Sequence, residues 1–373
     1  MEQIAETTDQ DSLHEQPLPV SVLTGFLGSG KTTVLRHLLQ QLDMNRVAVV
    51  INEFGEIGLD HQLVASVDDS TVLLNNGCLC CSVRSDLIRT LRGFYVRRAA
   101  GEIPTFDRVV IETTGLGDPI SIIHSLIRDP LLADCYRLDG VITTVDALLG
   151  EATLDRHPEA IKQAAVADRL LLTKVDLAGA SMQATLSRRL RAINTAAPIV
   201  PTIQGKVSPS LLFNAGYYDP ETKSADVRRW LAAESYAEEH SSQSHGDHQD
   251  HRHVHANQAA SNPNRHDDRI RSFCFVYDQP LSWPSFAKAI QSLIDTHGAN
   301  ILRIKGVLNI QGRDKPTVIH GVQHVFHPPV LLDAWPDEDC RSRLVFITHD
   351  VTKELVERSL SILSMPHAKG GRR

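Results

Sequence analysis

Residues 25–33 have the sequence GFLGSGKTT and constrain the fold more than any other part of the chain. They follow an apolar run, VSVLT, and lead into KTTVLRHLLQQL, whose apolar residues recur at helical spacing. Glycines in such a loop let backbone N–H groups turn toward phosphate oxygens, and the helix that follows presents its positive N-terminus. Because it lies between a predicted strand and a predicted helix, the stretch is a Walker A phosphate loop in the context that the motif requires.

The phosphate loop predicts contacts with a nucleoside triphosphate and its metal ion. Lys31 would reach the β- and γ-phosphates, and the Thr32 hydroxyl would ligate Mg²⁺. We expect the following loop residues to bind the nucleotide: Gly25, Gly28, Ser29, Gly30, Lys31, Thr32 and Thr33.

Short apolar runs alternate with helical patterns for the next two hundred residues, which predicts an α/β fold with a doubly wound, mostly parallel sheet. We expect a flexible tail at 1–17, a P-loop nucleotide-binding domain at 18–236, a His-rich linker at 237–268 and a smaller C-terminal α+β domain at 269–373. The linker is assigned because its stretch has almost no aliphatic residues and cannot form a core.

The composition limits the classes of partner. The chain has 373 residues, enough for two domains of roughly 100–200 residues each, and its net charge of −7 argues against a nucleic-acid partner. We see no secretory signal in the first twenty residues and no apolar run long enough to span a bilayer. We therefore expect a cytoplasmic protein without a membrane contact, whose six cysteines favour metal or redox chemistry over structural disulfides.

Two further motifs follow the phosphate loop in the order that nucleotide binding requires. The strand-like RVVIETTG ends in Glu112, which could hold the Mg²⁺ shell directly or through water, and continues to Gly115. We expect the catalytic residues to be Lys31, Thr32, Glu112 and Gly115.

The run LLLTKVD then places Asp176 where its carboxylate can accept from guanine N1–H and N2–H₂, while the Lys174 stem covers the ring.

Together these motifs resemble the CobW-like family of P-loop GTPases. The resemblance rests on TGFLGSGKTT, INEFGEIGLD, GCLCC, ETTGLGDP and TKVD, a His-rich insert, and RIKGVLNI with GVQHVF and RLVFIT in the second domain. It implies GTP hydrolysis coupled to metal delivery, with the C-x-C-C cluster holding the metal. One departure is Thr173, which replaces the usual Asn of the guanine motif, and we expect it to weaken hydrogen bonding between loops.

Cys78, Cys80 and Cys81 admit three interpretations: a metal site, a redox pair, or core packing. A redox site of the C-x-x-C kind does not need the extra Cys80, whereas three thiolates can converge on Zn²⁺ and leave a fourth position open. We favour metal, with Glu53 as the best additional ligand. The cluster lies between residues 52–60 and the Glu112 segment, so GTP could control the metal affinity through these segments.

The His-rich stretch adds a weaker hypothesis. Its imidazoles suit Zn, Co, Ni and Cu alike, and the alternative is a solvated linker. We expect an auxiliary metal role for His245, His248, His251, His253 and His255.

The sequence therefore predicts a GTPase metallochaperone that uses GTP and Mg²⁺ and delivers Zn²⁺, with Co²⁺ as rival cargo, to an unidentified client metalloprotein. The sequence leaves open whether the chain forms a homodimer. Two alternatives also stay open: a nucleotide-dependent phosphotransferase with structural zinc, and a non-enzymatic metal buffer or sensor.

Overall fold

The fold is taken from a computed structural model of the chain. The structure describes residues 17–41, 44, 46–52, 72–75, 83–213 and 269–364. These residues form two sheets with their helices, a parallel sheet in the first half and an antiparallel sheet in the second. The predicted boundary between 236 and 237 lies outside the described residues and stays a prediction.

The first sheet has seven strands, all paired in parallel, in the order β3-β2-β4-β1-β5-β6-β7. Its strands are β1 (Leu18–Gly25), β2 (Val47–Asn52), β3 (Val72–Asn75), β4 (Arg108–Thr113), β5 (Tyr136–Asp146), β6 (Arg169–Thr173) and β7 (Ile199–Pro201). Because all strands run the same way, their carboxyl ends meet at one edge, where ligands of such sheets bind. The phosphate loop follows the central strand β1 at this edge.

Helices cover both faces of the parallel sheet, as predicted for a doubly wound fold. They are α1 (Lys31–Leu39), α2 (Val83–Ala99), α3 (Pro119–Arg128), α4 (Pro130–Cys135), α5 (Gly150–Arg156), α6 (Pro158–Ala165), α7 (Ala180–Ile193) and α8 (Pro209–Leu212). Alternate residues of β1 enter two different cores: Val20 and Val22 pack with α2, α3, α6 and α7, whereas Leu23 packs with α1. Each face of the sheet is therefore buried, which explains the nearly continuous apolar runs in the sequence.

The second sheet is antiparallel, in the order β11-β10-β9-β13-β8 with β12 paired to β10. Its strands are β8 (Ile270–Tyr277), β9 (Ile301–Leu308), β10 (Thr317–Val322), β11 (Val325–Phe326), β12 (Val330–Leu331) and β13 (Ser342–His349). Helices α9 (Trp283–His297) and α10 (Lys353–Leu360) pack on it, with Phe286 and Val356 among the buried residues. The predicted α+β domain is confirmed.

The two halves share a hydrophobic contact. Ile270, Leu302, Val322 and Ile347 of the second sheet belong to the same buried cluster as the core on one face of the parallel sheet. Burial of an aliphatic side chain contributes roughly 1.5–3 kcal/mol, so this contact holds the halves together firmly. Within the described residues, no helix has the length and apolar character needed to cross a membrane.

Candidate functional site

The phosphate loop has the backbone that its glycines permit. Gly25, Gly28 and Gly30 have φ values of 141°, 72° and 94°, which L side chains rarely adopt. A Cβ on Gly25 would also lie 2.2 Å from the Thr144 hydroxyl oxygen, so only glycine fits between β1 and β5. The loop is further held by the Ser29 and Thr144 hydroxyls, whose oxygens are 2.6 Å apart. The loop therefore has a defined shape.

Lys31 begins α1 and points into the phosphate loop. Its ammonium donates to the carbonyl oxygens of Gly25 at 3.0 Å and Phe26 at 3.3 Å, and the residue is only 7% exposed. Gly30 precedes α1 in a left-handed conformation and offers no side-chain cap to the first N–H groups of the helix. Backbone N–H groups at the positive end of a helix favour an anion, and Lys31 adds a full positive charge beside them.

Thr32 and Glu112 meet across the carboxyl edge of the sheet. The Thr32 hydroxyl donates to the Glu112 Oε1 at 2.8 Å, although the residues are 80 positions apart. Glu112 is 1% exposed and lies near the end of β4, and the next residue, Thr113, donates from its hydroxyl to that of Thr24 at 2.8 Å. The fold thus brings together two of the predicted catalytic residues, each with an oxygen that a hard cation prefers.

Residues 112–118, which we call the ETTG loop, lie directly against the phosphate loop. A Cβ on Gly115 would be 2.5 Å from the Leu27 Cδ2 and 2.7 Å from the Leu27 backbone nitrogen, so the approach requires glycine. On its other side the loop accepts two hydrogen bonds from Gln163 of α6, at 3.2 Å to the Gly115 carbonyl and 3.0 Å to the Gly117 carbonyl. The predicted catalytic residue Gly115 is therefore held between two elements.

The TKVD segment follows β6 at the same edge. The Thr173 hydroxyl lies 2.7 Å from the Ser29 carbonyl and 3.2 Å from that of Val145, so its single proton can link the segment to the phosphate loop. The weakening relative to Asn stays a prediction. Lys174 has a φ of 55° and forms an ion pair with Asp146, with 2.6 Å between Nζ and Oδ2. A positive φ at a non-glycine residue is uncommon and often marks a functional site. Asp176 is exposed.

The structure thus brings the described candidates to one edge of the parallel sheet. The expected transferred-metal ligands Cys78, Cys80, Cys81 and Glu53 and the auxiliary ligands His245, His248, His251, His253 and His255 lie outside the described residues. Strand β2 ends one residue before Glu53, and β3 ends three residues before Cys78. Both strands end at the edge that carries the phosphate loop.

Comparison with known families matches both halves of the chain. The CobW/HypB/UreG nucleotide-binding domain matches residues 19–201, and the cobalamin synthesis protein cobW C-terminal domain matches residues 270–363. The zinc chaperone YjiA of Escherichia coli (strain K12) is 31% identical over 347 residues, which cover 92% of this chain and 98% of YjiA. The chain belongs to the CobW/HypB/UreG family. The family's nucleotide-binding domain coincides with the parallel sheet, which ends at Pro201.

One further relative and one solved structure support the family and the fold. The zinc-regulated GTPase metalloprotein activator 1 of Schizosaccharomyces pombe is 35% identical over 206 residues, 53% of this chain and 49% of that protein. The crystal structure of Zn(II)-bound YjiA GTPase from E. coli aligns with a TM-score of 0.65 at 28% identity, over 94% of this chain and 99% of that one. The two-domain arrangement is thus shared with a CobW/HypB/UreG protein of known structure.

Two residues of the site, Asp146 and Gln163, are not among those that the sequence predicts. Asp146 ends a buried strand, as Glu112 nearly does, and that strand-end acid was a signal that could have found it. Gln163 has no such signal, because it lies within a short helix and meets the ETTG loop across 46 to 48 residues of sequence.

Proposed function

We propose that this protein hydrolyses GTP and uses the cycle to carry Zn(II), with Co(II) as rival cargo, to a client metalloprotein. The family membership and the relatives named zinc chaperone and zinc-regulated GTPase support both halves of this proposal. The observation that best supports GTP binding and hydrolysis is the hydrogen bond between Thr32 and Glu112, which lies beside the phosphate loop.

We assign phosphate binding to the loop and to Lys31. The N–H groups around Gly28 and Gly30 and the start of α1 would surround the β- and γ-phosphates, since backbone N–H groups and a helix N-terminus favour anions. The Lys31 ammonium donates to the carbonyls of Gly25 and Phe26 within the same loop and would turn from them to the phosphate oxygens.

The residues at the Thr32 contact fit a magnesium ion. A hydroxyl and a buried carboxylate supply the oxygen ligands that Mg²⁺ prefers, and they already lie 2.8 Å apart. We assign Thr32 and Glu112 to its coordination shell. Bound Mg²⁺ would neutralise the charge that develops on the phosphate oxygens. Glu112 and Gly115 would then set the position of the ETTG loop relative to the γ-phosphate.

We assign guanine recognition to Asp176 and Lys174. A carboxylate at Asp176 can accept from N1–H and N2–H₂ of guanine, and adenine offers neither donor there. The ion pair between Lys174 and Asp146 holds the lysine stem, and the Thr173 hydroxyl ties the segment to the phosphate loop. These contacts support selectivity for GTP over ATP.

We assign the cargo metal to Cys78, Cys80, Cys81 and Glu53. The strand order supports a link to the nucleotide, because β2 and β4 are neighbours and Asn52 pairs with Thr113 of the ETTG loop. In this proposal, GTP completes the metal site and hydrolysis loosens it for transfer, so the metal ion is a substrate that passes through. The five histidines at 245–255 would raise the local metal concentration as auxiliary ligands.

The proposal is tested by hydrolysis rates for GTP and ATP with Mg²⁺, titrated with Zn²⁺ and Co²⁺. We expect turnover of GTP, little turnover of ATP, and a response to metal that is lost when the three cysteines are changed to serine. Cys340→Ser is the matched control, because Cys340 is an exposed free thiol of the second domain. ATP turnover with a phosphorylated metabolite as product would instead support a phosphotransferase.

The His-rich stretch has a separate test. Deletion of residues 240–266 should lower the number of metal ions bound per chain and leave the GTP hydrolysis rate unchanged. Loss of both would contradict an auxiliary role.

A further inference from the structure

Helix α6 touches the ETTG loop on one side and the second domain at its end. Gln163 of this helix is 1% exposed. Its side-chain amide donates two hydrogen bonds to the ETTG loop, one to the Gly115 carbonyl and one to the Gly117 carbonyl. Its own backbone carbonyl accepts from the Thr143 hydroxyl at 2.8 Å, which fixes the helix on β5. The amide therefore ties the loop to a rigid element.

Removal of this amide would leave two loop carbonyls without their buried donor. An unsatisfied buried polar group is unfavourable, so the loop would move until water or another donor reached it. Such a movement changes the close approach between Gly115 and Leu27, where an added Cβ would lie 2.5 Å from the Leu27 Cδ2. It therefore also changes the position of Glu112 relative to the phosphate loop.

The C-terminal end of α6, close to Gln163, is held by charged residues of β9. The carbonyl of Val166, three residues after Gln163, accepts from the Arg303 guanidinium, which also binds the Asp168 carboxylate. Lys305 donates to the same Asp168 oxygen at 3.0 Å, and the other Asp168 oxygen accepts from the Val141 backbone N–H at 3.0 Å. Arg303 and Asp168 are almost wholly buried, with side chains 3% and 1% exposed.

We infer that Gln163 is a positioning residue for GTP hydrolysis, and that α6 transmits the position of the second domain to the ETTG loop. A buried charge network has strict geometry, because any displacement leaves a charge without its partner. A shift of β9 would therefore move the end of α6 and, through Gln163, the carbonyls of Gly115 and Gly117. By linkage, the loop movement on binding or loss of the γ-phosphate acts back on the second domain.

The inference rests on the GTP hydrolysis of the proposed function and not on its metal transfer. The assay is therefore basal turnover without added zinc. No GTP turnover by the wild-type protein would overturn the proposed function, and the inference with it. Turnover that is normal in the Gln163 variant would overturn the inference alone.

The first experiment compares Gln163→Met with Gln41→Met. Gln41 is the matched control, because its amide also donates to a distant backbone carbonyl, that of Val207 at 2.9 Å, away from the ETTG loop. For Gln163→Met we expect kcat to fall about tenfold with KM for GTP within about twofold. For Gln41→Met we expect both constants within about twofold of wild type. Equal kcat values for the two variants, or a loss confined to KM, would overturn the assignment.

The second experiment tests the link through α6 with a double-mutant cycle. Lys305→Met removes one of the two donors to the Asp168 oxygen, and Lys315→Met is the control, since Lys315 forms an exposed ion pair with Asp333 in the same domain. We expect Lys305→Met to lower kcat about threefold in the wild-type background and to have no further effect with Gln163→Met. Effects that multiply would overturn the coupling.

A third measurement does not depend on the folding of the Gln163 variant. Backbone hydrogen exchange of residues 114–118 should be faster in Lys305→Met than in the wild-type protein and unchanged in Lys315→Met. Exchange in the loop that is identical in all three proteins would overturn the coupling.

Discussion

At the scale of single residues, Thr32 is one of the residues that we propose for catalysis. Its hydroxyl joins the phosphate loop to the Glu112 carboxylate at 2.8 Å. Thr32→Val keeps the shape and removes this oxygen, so we expect the single-turnover rate of GTP hydrolysis at saturating Mg²⁺ to fall by about 100-fold. Thr296→Val is the control, because the exposed Thr296 hydroxyl donates to a backbone carbonyl of its own helix, α9. A Thr32→Val rate within threefold of wild type would contradict the assignment.

We propose Asp176 as the residue that sets the selectivity for the base. Asp176→Asn replaces an acceptor by a side chain that also donates, so guanine N1–H and N2–H₂ lose their best partner. We expect KM for GTP to rise by about 100-fold, and xanthosine triphosphate, which has a carbonyl in place of the amino group, to become the better substrate. Asp314→Asn, an exposed change in the second domain, should leave KM as it is. An unchanged preference for GTP in Asp176→Asn would show that another residue binds the base.

At the scale of elements, the approach between the ETTG loop and the phosphate loop is the feature most sensitive to volume. A methyl group on Gly115 would meet Leu27 at 2.5 Å, whereas one on Gly93 of α2 would meet nothing within 4 Å. Gly115→Ala should therefore lower kcat at least tenfold, because the two loops must separate. Gly93→Ala should leave kcat unchanged and raise the free energy of unfolding by about 0.5–1 kcal/mol. Steady-state kinetics and urea unfolding of both variants test this pair, and equal kcat values would count against close loop packing.

The elements that sequence alone could predict are those whose signal is local. The glycines of the phosphate loop, Lys31 and the strand that carries Glu112 each follow from a few adjacent residues, and the structure contains them as predicted. Gln163 and Asp168 could not be predicted, because their roles come from contacts 46 to 137 residues away that exist only after the chain has folded. A glutamine inside a helix has no pattern that distinguishes it from a solvent-facing one.

At the scale of the whole molecule, the two domains meet through charged and imidazole groups as well as apolar ones. His327 is buried beside His320, with 6.5 Å between ring centroids, and His320 pairs with Lys305 across β10 and β9. Burial lowers the pKa of His327 to about 4, with Asp168 acting to raise the pKa and Arg303 to lower it. The ring is thus neutral in the folded protein at pH values where it is partly protonated in the unfolded chain.

This pKa predicts how stability depends on pH. Between pH 6.5 and 4 the unfolded chain binds more protons at His327 than the folded protein does, so the free energy of unfolding falls as the pH falls through this window. The contribution of this one group is about 3 kcal/mol. Urea unfolding from pH 7.5 to 4 should show a shallower loss of stability in His327→Gln than in wild type. His324→Gln, an exposed change three residues earlier, should follow wild type. Parallel curves for wild type and His327→Gln would contradict the prediction.

We propose that the bound nucleotide controls the affinity of the protein for the cargo metal ion. The most direct measurement is the Zn²⁺ affinity of the full chain, by competition with a chromogenic chelator, with Mg²⁺ and either a non-hydrolysable GTP analogue or GDP. We expect the Zn²⁺ affinity to be at least tenfold higher with the GTP analogue than with GDP. We expect no such difference when Cys78, Cys80 and Cys81 are all changed to serine. Equal Zn²⁺ affinity in the two nucleotide states of the wild-type protein would contradict the proposal.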